Sequence, residues 1–162
     1  MMKKSQDRVA SPREKGSPGA PGGRAGAWYG APRYFGMHYD MHVSLEDEHI
    51  GERLSVDELV ANLAAMGCDW VQTDCKGHPG VTGWKSAVPA ATVNEHIKKD
   101  LMEVWRTATR RLHLPLHCHY SGIIDHAAGA RHPEWKVVQG PAVEKAPELH
   151  RLCPRSPYVD EL

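Results

Sequence analysis

Between Arg33 and His42 the chain reads Arg-Tyr-Phe-Gly-Met-His-Tyr-Asp-Met-His, with chemistry on one phase and apolar character on the other. Side chains two apart share a face of a strand. His38, Asp40 and His42 therefore line one face, and Tyr39 and Met41 take the other, where a covering helix would want apolar contact. Such a strand suits the wall of a barrel whose mouth is a binding site.

A polar loop from Ser44 to Arg53 follows, and then the period changes. Ser55-Val-Asp-Glu58 reads as a capping box. Val56, Leu59, Val60, Leu63 and Ala64 form one stripe of an amphipathic helix, which Gly67 stops as a left-handed cap. Cys68–Cys75 is a short β-rich run directly after it. Strand, helix and strand with tight spacing predict a right-handed parallel crossover. A long loop from Lys76 to about Val93 comes next, at the end of a strand where α/β folds put their sites. His78 there can hydrogen-bond a hydroxyl, and Trp84 can stack on the apolar face of a sugar ring.

A second helix is predicted from about Lys99 to Leu112, with Leu101, Val104, Trp105, Ala108 and Leu112 as its stripe. Leu114 to Ser121 reads as a third strand with His117 and His119 on one face. Gly122 to Gly140 reads as another long loop. At the end of the chain, Ser156 and Pro157 open like a helix with Asp160 and Glu161 in its first turn. The sequence stops after about one turn with no apolar stripe to bury, so it reads as cut short.

Composition changes this picture at the front of the chain. Residues 1–27 are a Gly/Pro/Ser-rich leader with little to bury, expected to be disordered. Up to Arg33 there are seven basic residues against Asp7 and Glu14, a net of +5. No aromatic residue precedes Trp28 to stack on bases. Residues 28–162 are one domain's worth of chain. Overall net charge is zero, so no global field draws the protein to nucleic acid or membrane. No apolar run approaches the ~20 residues of a membrane helix, and no secretory signal is visible. The four cysteines form no Cys-x-x-Cys pair, which suits reduced, buried thiols and a cytoplasmic location.

Four motifs, in order and in register, resemble the α-L-fucosidase family of glycoside hydrolases. Phe35-Gly-Met37 looks like the family's Phe-Gly-Met/Ile-Phe-Ile-His-Trp-Gly opening. Glu58 to Gly67, continuing to Lys76-Gly-His78-Pro-Gly80, is similar to its second unit, where the strand is followed by Lys-His-His-Asp-Gly. Lys99-Asp100-Leu101 and His119-Tyr120-Ser121 look like its Arg-Asp-Leu and Tyr-Tyr-Ser. The resemblance covers about Trp28 to Ser121.

It implies the first three units of an eight-stranded β/α barrel, a fold of ~250 residues, with a carbohydrate substrate and no cofactor or metal. The family's sugar-contacting histidine on strand one falls at Asp40. Of its paired histidines after strand two only the second survives, as His78, and its tyrosine after strand three falls at Tyr120. The expected sugar-binding set is thus His38, Asp40, His42, His78, Trp84, His119 and Tyr120. A retaining glycosidase needs two carboxyl groups ~5 Å apart, and the resemblance places both beyond Leu162. The chain therefore reads as an inactive N-terminal fragment of a divergent relative, awaiting its remaining strands or an oligomeric partner. Asp40 and Asp74 are carboxylates on strands, with nothing in the sequence to pair them.

Two other readings remain open. His38, Asp40 and His42 with His117 and His119 could chelate Zn²⁺, as in a metal-dependent hydrolase similar to the amidohydrolases. Alternatively the chain is a non-catalytic carbohydrate-binding module that completes itself by oligomerising.

Overall fold

A computed structural model describes residues 34–161. The leader of residues 1–27, and Trp28 where the folded pattern was expected to start, lie outside the described residues. The elements are β1 (Gly36–Tyr39), α1 (Val56–Met66), β2 (Trp70–Lys76), β3 (Val81–Thr82), β4 (Thr92–Val93), α2 (Leu101–Arg111), β5 (Leu116–Tyr120), α3 (His126–Arg131) and α4 (Pro141–Lys145). They make a mixed α/β chain in which β1, β2 and β5 form a parallel sheet in the order β1-β2-β5.

Local signals set the helix ends. Ser55 accepts from the Glu58 N–H at 3.5 Å at the head of α1, and Gly67 closes it in the left-handed region at φ 66°. Asp100 caps α2 by accepting from the Glu103 N–H at 3.0 Å, while Arg110 and Arg111 stand at its negative end. The two stripes meet over one face of the sheet. Leu59 and Leu63 of α1, Val104, Trp105 and Ala108 of α2 and Val71 of β2 are buried together, with Met37, Tyr39, Met41 and Leu116 packed against them. Tyr39 and Trp105 lie with ring centroids 4.6 Å apart. The apolar phase of the first strand therefore faces the helices, and the polar phase is left on the opposite face.

Both long loops contain structure that periodicity did not reveal. The stretch after β2 carries β3 and β4, two residues each, paired in parallel. The stretch after β5 carries α3 and a 3₁₀ turn at Pro133–Trp135. The end of the chain departs furthest from expectation. Pro157–Glu161 is a 3₁₀ turn, and Ser156 donates to the Cys153 carbonyl at 2.6 Å. Tyr158, in a stretch expected to carry no apolar stripe to bury, is 2% exposed and packs with Ala128 and Leu152. No disulfide links the cysteines; Cys68 is buried as expected, but Cys118 is exposed. Among the described residues no helix is long and apolar enough to cross a membrane.

Candidate functional site

The polar face converges on Asp74. It sits in β2 directly opposite His119 of β5, and its side chain is completely shielded from solvent. A buried carboxylate must be compensated, and here each oxygen has donors. Oδ1 lies 2.7 Å from His119 Nδ1. Oδ2 accepts from the Met41 N–H at 2.9 Å and lies 3.4 Å from His42 Nε2. The same His42 nitrogen is 2.9 Å from Asp40 Oδ1. One imidazole thus bridges the two carboxylates that the sequence left unpaired. Burial pushes Asp74 up, but hydrogen bonding with Asp40, the Met41 N–H and His119 outweighs it, and the carboxyl stays below its ordinary range.

Two more histidines complete the cluster. The His78 and His42 rings are 5.0 Å apart, and the His38 ring stands edge-on to His119 at 6.1 Å. His78 Nδ1 is 2.8 Å from Ser121 Oγ, whose own proton goes to the Ile124 carbonyl at 2.7 Å. Nδ1–H of His78 therefore donates to Ser121, and Nε2 is left as an acceptor. Burial, and then the charges of His42 and His119, hold the His78 pKa below its ordinary value, which favours this neutral form. Gly77, where the resembling family has its first paired histidine, has no room for a side chain: a Cβ there would collide with the His42 ring. His42 from the first strand occupies that space.

Five of the expected residues, His38, Asp40, His42, His78 and His119, are therefore brought together. Trp84 and Tyr120 stand elsewhere. The Trp84 indole donates to the Cys75 carbonyl at 2.9 Å, and both residues line a separate cavity of about 370 Å³ beside Lys76. His117, the remaining histidine of the zinc reading, packs edge-on against Trp70 with centroids 5.3 Å apart, one strand step below His119.

The sequence reading missed Asp74 as a site residue, because its partners sit on neighbouring strands. It also missed a buried network in which the Lys76 ammonium pairs with Asp125 and donates to Tyr158 Oη at 3.1 Å. Tyr158 in turn donates to Asp125 at 3.0 Å, and the Tyr120 ring lies 4.4 Å from Lys76 Nζ. Burial raises Asp125, but Lys76, the Ala128 N–H and Tyr158 hold its pKa below the ordinary value. Burial beside that carboxylate raises Tyr158. Sequence could offer only the Asp125 cap at the head of α3, which accepts from the Ala128 N–H at 2.7 Å.

No protein-family model matches the sequence, and no curated protein matches it. Solved structures do. α-L-Fucosidase isoenzyme 2 from Paenibacillus thiaminolyticus matches over 80% of this chain and 20% of its own, with a TM-score of 0.70 and 21% identity. A putative α-L-fucosidase from Bacteroides thetaiotaomicron matches over 73% of this chain and 32% of its own, with a TM-score of 0.49 and 19% identity. The α-L-fucosidase AlfC, solved as a mutant with 4-nitrophenyl-α-L-fucopyranoside, matches over 56% and 39%, with a TM-score of 0.43 and 17% identity. The chain spans about a fifth of the length of the Paenibacillus enzyme. In fold this chain is α-L-fucosidase-like over the matched part.

Proposed function

We propose that the chain forms the sugar-binding part of a glycoside hydrolase of α-L-fucosidase type, built on the first units of a β/α barrel. The observation that carries this reading is the convergence of His38, Asp40, His42, His78 and His119 on buried Asp74, at and just beyond the ends of three parallel strands. Parallel α/β folds place ligands there. The chemistry fits a polyol. His78 Nε2 accepts from a hydroxyl, exposed Asp40 accepts from another, and His42 is fixed between two carboxylates.

Asp74 is unsuited to attack an anomeric carbon, because it is shielded from solvent and both oxygens are engaged. The nucleophile and acid/base of a retaining mechanism would come from residues outside this sequence. The carbohydrate is the proposed partner, with the missing strands supplied by further chain or by a second copy; nucleic acid and membrane have no part in this reading.

Calorimetric titration of the 162-residue chain with L-fucose tests it. The expected result is saturable binding that weakens at least tenfold in His78→Ala and in Asp40→Asn, without release of 4-nitrophenol from the aryl fucoside. Absence of saturable binding, or binding indifferent to both substitutions, would overturn the sugar reading. Turnover by the chain alone would overturn the assignment of the catalytic carboxylates.

A further inference from the structure

We propose that His38, Asp40 and Asp74 form a site for a divalent first-row transition metal, Zn²⁺ being the ion that its donors suit. One donor atom from each of the three residues lies within 4.8 Å of the other two. His42 stands beside the two carboxylates as a further imidazole. His42 Nε2 is 2.9 Å from Asp40 Oδ1 and 3.4 Å from Asp74 Oδ2. With zinc–ligand bonds of about 2.0–2.2 Å, the donors of a tetrahedral site stand roughly 3.3–3.6 Å apart. The His42–carboxylate separations approach that edge length, and binding would draw in His38, whose donor lies within 4.8 Å of both carboxylates.

The surroundings are those of a metal centre as well. Ligating carboxylates are usually held by a second group, and here His119 Nδ1 holds Asp74 Oδ1 at 2.7 Å while Oδ2 faces His42. Asp74 is fixed by β2 and fully buried, whereas Asp40 keeps 64% of its side chain in solvent. That combination gives a rigid floor and an entry path. Imidazole together with carboxylate favours zinc and its first-row neighbours over Ca²⁺ or Mg²⁺, which take all-oxygen shells. His117 has no place in this set, since it lies against Trp70. Asp74, which no pattern along one strand could supply, completes it. The site extends beyond the sugar reading and does not rest on it.

The test is calorimetric titration of the metal-stripped, full 162-residue chain with ZnCl₂ at neutral pH. One equivalent is expected to bind, and His38→Ala and Asp40→Asn, both at exposed positions, are each expected to weaken binding at least tenfold. His49→Ala and His132→Ala serve as controls, because each removes a histidine from an exposed His–Glu pair that could take zinc at the surface. No one-equivalent uptake, or uptake lost in the controls and unchanged in His38→Ala and Asp40→Asn, overturns the proposal. Zinc uptake in a chain that binds no L-fucose keeps the metal site and removes the sugar reading; the reverse result does the opposite.

Discussion

Asp125 carries its charge in a buried place against Lys76, and each member of the pair depends on the other. The two side chains are each 6% exposed. Removing one member of a buried pair leaves the other charge uncompensated, at about 3–5 kcal/mol. Lys76→Met is expected to lower unfolding free energy in urea by that amount. Tyr158→Phe removes the hydrogen bond to the Asp125 carboxylate and the one accepted from Lys76, each about 1.5–3 kcal/mol, but keeps the ion pair, and should lower it less. Histidines supply the pH dependence. Burial first, and neighbouring histidine charge second, hold both His78 and His126 below their ordinary pKa of 6.5. His78 faces His42, His119, Asp40 and Asp74, and His126 faces His150, His78 and Asp125. A depressed folded pKa means that the unfolded chain takes up the proton first, so stability is complete above pH 6.5 and falls as pH drops below it. The thermal midpoint is expected to fall between pH 7 and 5.5, and His126→Asn should flatten that slope.

At the scale of elements, what the sequence made legible is what is local. The Ser55 cap, the stripe of α1 and the stop at Gly67 are all written within a dozen residues, and the structure repeats them except at Ala64, which is exposed. Gly67 takes φ 66° with open space where a Cβ would stand. Gly67→Ala should therefore lower unfolding free energy by strain alone, about 1–2 kcal/mol, as urea denaturation would measure. β1 ends at Tyr39, short of the expected His42, and only His38 of the three lies on the strand; Asp40 and His42 meet Asp74 from the chain just beyond it. Elements too short to carry a period were not legible: β3 and β4 have two residues each, and α3 has six. Contacts between elements were also hidden. Asp74 meets His119 only through the β2–β5 register, and the Trp84 indole N–H is tied to the Cys75 carbonyl. Tyr158 is buried by Ala128 and Leu152, which no pattern in Pro157–Glu161 announces.

In the molecule as a whole, the helices and the site divide the sheet between them. One face is closed by α1 and α2, and the other keeps its histidines and carboxylates. As proposed above, this second face reads a sugar. The most direct measurement is the response of the histidine rings, followed by long-range proton–nitrogen NMR, as L-fucose is added to the chain. Saturable shifts are expected at His38, His42, His78 and His119, with His49 and His132 unmoved. Rings that stay still throughout, or shifts confined to His49 and His132, would contradict it.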